Sequence, residues 1–195
     1  MYAKTAYGFV SAWPQTEKAK NDYFFVRGVP SENWQHWQTM LDMFTCVDCE
    51  KAHGKIYPQG EAVFPEPPLH PSCRCDIVTT TAIEAGRGTK DGENGADWWL
   101  THYRMLPAYY ITEDEIKALG WRSGKSPNLS APKKMIAKGI YGNDNHHLPE
   151  IPGRIWYEAD LNYYEGKRNG HRALWSNDGL IFTTYDHYYT FHEII

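Results

Sequence analysis

Apolar positions change their period along the chain, and each change predicts a different element. Between Asn33 and Phe44, Trp37, Met40, Leu41 and Phe44 recur at i, i+3, i+4 and i+7, which predicts a short helix with one buried face. Pro58 to Pro71 reads as a proline-rich loop. From Thr79 to Gly95 four glycines appear and almost nothing apolar remains, so a flexible connection is expected there. Beyond it, Trp99, Leu100, Tyr103 and Leu106 give Asp97–Leu106 the pattern of an amphipathic helix that stops at Pro107. A second helix should start at Thr112, whose hydroxyl and Glu115 make a capping box. Ile116 and Leu119 would form its buried side, and Gly120 would close it in the left-handed conformation.

After Pro152 the period becomes two. Ile155 to Tyr163, Ala173 to Ser176, Leu180 to Thr184 and Tyr188 to Glu193 read as strands of one antiparallel sheet, with Asn177-Asp178-Gly179 as a hairpin turn. Helices first and strands afterwards predict an α+β class, N-terminal helices packed on a C-terminal antiparallel β-sheet, preceded by a small Cys-rich module. The expected organisation is a module at 1–78, a linker at 79–95 and a folded domain at 96–195.

Charge narrows the possible partners. The whole chain carries −4, and division at Gly95 leaves −3 before it and −1 after it. Neither half offers a global positive field, so any polyanion must meet a local cluster, such as Lys133, Lys134 and Lys138, or Arg154, Lys167, Arg168 and Arg172. No run of 18 apolar residues exists, and the first residues lack the apolar core of a secretion signal. The expectation is a soluble chain without a membrane role, cytoplasmic or delivered by a route that needs no signal peptide.

All four cysteines lie in the first half, as Cys46-x-x-Cys49 and Cys73-Arg-Cys75. Two close thiol pairs fit one tetrahedral zinc, with His53 and His70 as reserve ligands; disulfides and free thiols are the alternatives. In the second half, period-two spacing puts Trp156, Glu158, Asp160 and Asn162 on one strand face. A carboxylate such as Glu158 and an imidazole such as His187 on neighbouring strands can take one proton while giving another. His146, His147, His171 and His192 fit exposed or capping positions.

Residues 96–195 resemble the barnase family of microbial ribonucleases. The resemblance rests on Leu106-Pro107, Tyr110-Ile-Thr, Ala118-Leu-Gly-Trp121, Glu158-Ala-Asp160, Asn162-Tyr163, Arg168-Asn169, Arg172 and Asp186-His-Tyr188, in matching order and spacing. It implies metal-free cleavage of single-stranded RNA through a 2′,3′-cyclic phosphate. Glu158 would be the general base, His187 the general acid, and Arg168 and Arg172 the phosphate-binding cations. Arg154 would flank the site, Tyr188 would line the substrate pocket, and Asp160 would hold the arginines. It also implies an acidic barstar-like inhibitor as partner. Two positions depart from the family pattern. Glu113 stands where a catalytic lysine is usual, leaving Lys133, Lys134 or Lys138 to supply that charge. The guanine-reading loop is Gly142-Asn143-Asp144-Asn145 and lacks its glutamate, so Asn143, Asp144 or Asn145 would contact the base. Residues of about 33–78, with Pro67-Pro-Leu-His-Pro-Ser-Cys-Arg-Cys75, resemble the end of the Mu F-like phage head morphogenesis domain. That resemblance implies a phage-associated or polymorphic toxin, with head or delivery machinery as a partner, or a packaging protein whose second half only binds RNA.

Overall fold

The computed structural model describes residues 26–163 and 165–195; the expectation of no secretion signal at the start of the chain lies outside them. Among these residues the strands are β1 (Val29–Gln38), β2 (Ile56–Pro58), β3 (Asp76–Ile83), β4 (Tyr110–Thr112), β5 (Met135–Tyr141), β6 (Trp156–Asp160), β7 (Arg172–Ser176), β8 (Ile181–Thr184) and β9 (His192–Ile194). The helices are α1 (Val47–Ala52), α2 (Ala96–Tyr103) and α3 (Glu113–Ala118). All the strands join one sheet in the order β2-β1-β3-β9-β8-β7-β6-β5-β4. The class is mixed helix and sheet, with few helices and a large sheet.

The four strands expected after Pro152 pair antiparallel, and they are part of a larger sheet in which β5 also pairs antiparallel with β6, while β3 pairs with β9, and β4 with β5, in parallel. The β7–β8 hairpin turns where expected, with Gly179 at φ +104. The last strand is shorter than its apolar pattern suggested. Only His192–Ile194 pairs, because the backbone of Tyr185–Thr190 is drawn into a loop around the Asp186 carboxylate.

The predicted helix at Asn33–Phe44 is instead largely strand. His36 pairs with Ile56 on one side and Val78 on the other, and Trp37 is 1% exposed. Met40, Leu41 and Phe44 remain exposed, so the helical stripe has no surface to bury, and pairing on both edges decides the conformation.

The expected flexible connection at 79–95 is also corrected. Its first residues belong to β3, and the rest wraps a buried carboxylate. Asp97, fully buried at the start of α2, accepts hydrogen bonds from the Gly86 and Gly88 amides at 2.7 and 2.8 Å and from Thr89 Oγ1 at 3.1 Å. A Cβ on Gly95 would lie 1.9 Å from Thr89 Oγ1, so this glycine permits close approach to the turn. Burial pushes the Asp97 carboxyl upward, and these donors oppose the shift. Lys90 N further donates to Asn162 Oδ1 at 2.8 Å, tying the segment to the far end of β6.

Helix α2 packs Ala96 and Leu100 on Ala173, Leu161, Ile181 and Ile194, and Val26 and Ile83 from the N-terminal side enter the same core. Each such aliphatic burial contributes roughly 1.5–3 kcal/mol. Helix α3 has its capping box between Thr112 and Glu115 and buries Ile116 against Trp121 and Ile136. Leu119, expected on the buried side, is 59% exposed because the helix ends at Ala118. A third cluster, Ile56, Leu148, Trp156, Leu174, Phe182 and Phe191, joins the Cys-rich end to the central strands. No helix among the described residues is long and apolar enough to cross a membrane.

Candidate active site

Glu158 lies at the middle of β6, paired with Leu174 on β7, and its side chain is almost completely buried. On its other side the β5 register slips between Ala137 and Gly139, leaving Lys138 as the extra residue of a bulge. Gly139 takes φ +88 there. Bulges re-aim a side chain, and this one brings Lys138 Nζ into an ion pair with Glu158 Oε1. Tyr188 OH donates to the second oxygen, Glu158 Oε2, at 2.8 Å.

One turn of strand away, Asp160 is fully buried opposite Arg172. Arg168 Nε donates to Asp160 Oδ2 at 2.8 Å and its Nη2 pairs with Oδ1, a two-point fork. Arg172 Nε lies 3.4 Å from Asp160 Oδ1, an ion-pair contact without hydrogen-bond geometry, while its Nη1 donates to the Asn169 and His171 carbonyls at 2.8 and 2.6 Å. Asp160 thus holds two guanidinium groups beside Glu158. Asn162, expected on the same strand face, lies past the end of β6 at φ +54.

His187 sits in the loop after β8. Asp186 organises that loop by accepting from Thr184 Oγ1, Thr190 Oγ1 and the amides of Tyr189 and Thr190. His187 N donates to Gly170 O at 3.2 Å, and a Cβ on Gly170 would meet His187 at the same distance, so a glycine here gives the histidine room. Both His187 (φ +62) and Tyr188 (φ +74) are left-handed, a conformation that costs on the order of 1–3 kcal/mol per residue and clusters at functional sites. Partial burial, followed by the charges of Arg172 and Lys138, holds the His187 imidazole below the usual histidine range, with Glu158 opposing. The acid candidate and the base candidate therefore share one electrostatic environment with three cations.

The imidazole and the Tyr188 ring open onto a cleft of about 750 Å³, whose other walls include Tyr141, Asp144, Asn145 and His147. Tyr141 and Tyr188 stack with centroids 5.2 Å apart, and burial and the Glu158 charge push the Tyr141 hydroxyl up to about 12.

Other expected site residues stand elsewhere or are occupied. Arg154 grips Asp178 with Nε at 3.0 Å and Nη2 at 2.7 Å, and donates to Pro149 O; it is spent on the hairpin turn and does not join Glu158. Lys134 Nζ donates to Ala108 O at 2.7 Å, bracing a loop. Asn143 is buried, its amide bound to Leu148 and Glu150, so it shapes the loop and has no free edge for a base. Asn145 Oδ1 accepts from His147 N at 3.2 Å. His147 and His192, expected to be exposed or capping, are buried. The lysine at the bulge was one of three candidates from sequence; the Gly139 that follows it in a strand was the signal that could have singled it out.

The cysteines converge. Cys46 Sγ and Cys49 Sγ lie 3.2 and 3.3 Å from His70 Nε2, and Cys49 Sγ lies 3.7 Å from Cys73 Sγ. Cys75 completes a group with Cys49 and Cys73, and donates to Thr39 Oγ1 at 3.2 Å. Burial, followed by the neighbouring thiols, pushes the Cys49 thiol up. Soft sulfur donors with one imidazole fit zinc, so His70 joins the expected four cysteines. His53 does not: it is buried with Nδ1 accepting from Thr39 N at 3.1 Å.

No family model matches the chain. Curated proteins do. It is 40% identical over 121 residues to a ribonuclease of Bacillus intermedius and, equally, to one of Bacillus pumilus; each match covers 61% of this chain and 70% of the relative. It is 44% identical over 103 residues to a ribonuclease of Heyndrickxia coagulans, covering 52% of this chain and 94% of the relative. With this identity over more than two thirds of each relative, on a fold in which the Glu158 carboxylate and the Arg168 and Arg172 guanidinium groups all act on the His187 imidazole, the chain belongs to the family of these bacterial ribonucleases.

Proposed function

We propose that the protein is an endoribonuclease that cleaves single-stranded RNA by acid/base transesterification, with no metal at the reacting atoms. The observation that carries this reading is that Lys138 and Tyr188 both bond the buried Glu158 carboxylate, that Asp160 two residues on holds Arg168 and Arg172, and that the charges of Arg172, Lys138, Glu158 and Arg168 all act on the neighbouring His187. Glu158 takes the proton of the ribose 2′-hydroxyl, and the resulting oxygen attacks phosphorus. His187 gives its proton to the departing 5′-oxygen, which leaves a 2′,3′-cyclic phosphate. Lys138 supplies the positive charge that Glu113 does not, and with the arginines it stabilises negative charge growing on the non-bridging oxygens. Glu113 is committed to Lys117 at 2.9 Å on the surface of α3.

Glu158→Gln and His187→Ala should each lower kcat/KM on RNA by about a hundredfold or more while leaving the circular dichroism spectrum unchanged. Near-native cleavage by both would reject the assignment. The thiol cluster is proposed as a structural zinc site held by Cys46, Cys49, Cys73 and His70 or Cys75. Metal analysis of untagged protein should find about one equivalent, and the absence of bound metal would reject the site.

A further inference from the structure

The pleat of β6 turns Tyr157 away from its neighbour Glu158, so the two side chains leave the sheet on opposite faces. Tyr157 is paired across the ladder with Trp175 of β7, and the two rings stack with centroids 5.7 Å apart and planes 23° apart. Both are half-buried, and they line an open cavity of about 420 Å³, a size ordinary for a small-molecule site. Buried Leu100 of α2 and Ile181 of β8 supply further apolar lining. Arg104, which ends α2 in the left-handed conformation at φ +57, stands at the same cavity and donates from Nη1 to Gly179 O at 3.1 Å. It is exposed, and no carboxylate pairs with it among the described residues. The other polar groups here are spent. Arg154 holds the Asp178 carboxylate, Ser176 Oγ accepts from Leu180 N at 2.9 Å, and Asn177 accepts from Ile155 N and donates to Gly153 O. What remains for a ligand is the aromatic pair and a guanidinium.

We propose that this cavity is a second RNA-binding site, on the face of the sheet opposite Glu158, where a nucleobase of the single strand stacks against Tyr157 and Trp175 and Arg104 meets the adjoining phosphate; the proposal rests on the RNA-cleavage reading. Every base has a π-face, so an aromatic pair accepts any of them. With the hydrogen-bonding groups of Ser176, Asn177 and Asp178 already satisfied, the site reads no base edge. A guanidinium offers phosphate oxygens a planar fork, and a local cation is needed because a net charge of −4 gives the strand no general attraction. A strand that lies along the catalytic cleft must pass around the sheet to reach this cavity, so only longer RNA occupies both. The second site therefore holds the strand equally before and during the chemical step, which lowers KM and leaves kcat alone.

The experiment titrates a single-stranded oligodeoxynucleotide into the full ¹⁵N-labelled chain; lacking the 2′-hydroxyl, it binds without being cut. In the wild type the Trp175 indole N–H and the amides of Arg104 and Gly179 should shift and saturate, with thymine and adenine tracts binding there within about threefold of each other. Trp175→Leu should weaken binding read at Arg104 and Gly179 by about tenfold. Arg104→Gln, at an exposed position that leaves the core intact, should lower the slope of log affinity against log salt by about 0.7. On long single-stranded RNA the same variant should raise KM about threefold, with kcat and the KM of a dinucleotide unchanged. Unmoved signals at Trp175, Arg104 and Gly179 while Tyr188 shifts would confine the strand to the catalytic cleft and overturn the proposal. An Arg104→Gln variant with wild-type salt slope and KM would overturn it equally. Binding needs no cleavage, so the two readings fail separately. Shifts at the cavity in a chain that cuts no RNA would sink the ribonuclease reading alone, and normal cleavage with the cavity signals unmoved would sink the second site alone.

Discussion

The two ends of the single sheet are held by different chemistry. At β6, β7 and β8, interior residues such as Ala159, Leu174 and Phe182 are completely buried, and the two buried carboxylates of β6 are matched by cations, Glu158 by Lys138 and Asp160 by two guanidinium groups. At the β1–β2 edge, Met40, Leu41, Met43, Phe44 and Val47 are exposed, and convergence falls to thiols and an imidazole. The cleft draws its catalytic candidates from the first end and one wall from the second. The candidate catalytic groups thus stand on the most deeply buried strands, while the cleft's far wall, at Glu50 and Lys51, comes from the edge that the cysteine cluster holds.

The largest disturbance to that contrast should come from Asp160→Asn. It leaves Arg168 and Arg172 without their shared counter-charge in a buried setting, a loss typically of about 3–5 kcal/mol. Urea unfolding should show the midpoint falling accordingly, with cleavage lost as the arginine fork loosens. A variant as stable as the wild type would mean that solvent, and not Asp160, compensates the arginines.

A smaller and more local effect is expected from Lys138→Ala. Removing one preorganised charge at the reacting phosphate should lower kcat by about tenfold to a hundredfold with little change in folding. If kcat holds and only KM rises, Lys138 binds RNA uniformly and does not serve the transition state.

The smallest effect is a pH dependence from the junction between the two ends. His36 on β1 and His192 on β9 are held at about 4, chiefly by burial; the His53 charge adds to this at His36, while at His192 the Asp186 charge opposes it and the His36 charge adds to it. Their unfolded values lie at about 6.5. Between those limits the unfolded chain binds more protons, so stability is lost as pH falls from about 6.5 toward about 4. Thermal melting followed across that window should show a steady decline, steeper than in His192→Phe. A melting temperature independent of pH would contradict the neutral buried state.

Much of the second half was legible because its signals are local. The Thr112–Glu115 capping box, the Asn177–Gly179 turn and the period-two strands each follow from a few neighbouring residues. The first half was misread where tertiary pairing outweighed local pattern. Trp37, Met40, Leu41 and Phe44 have helical spacing, yet β1 is claimed by β2 and β3 on both edges. Gly86, Gly88 and Gly95 looked like a flexible linker, but they bring backbone close around Asp97, a contact that composition cannot display. Of the candidate site, Glu158, Asp160, Arg168, Arg172, His187 and Tyr188 were legible from the resemblance. Lys138 depended on a bulge, and the cleft wall at Glu50 and Lys51 on a contact across nearly a hundred residues between α1 and His147, which no sequence period reports.

The most direct test is the product itself. Single-stranded RNA incubated with the full chain in excess chelator, followed by ³¹P spectroscopy, should show a 2′,3′-cyclic phosphate accumulating before any 3′-monophosphate, and His187→Ala run in parallel should show almost none. Cleavage that needs added metal, or ends that never pass through the cyclic species, would contradict the acid/base assignment of Glu158 and His187.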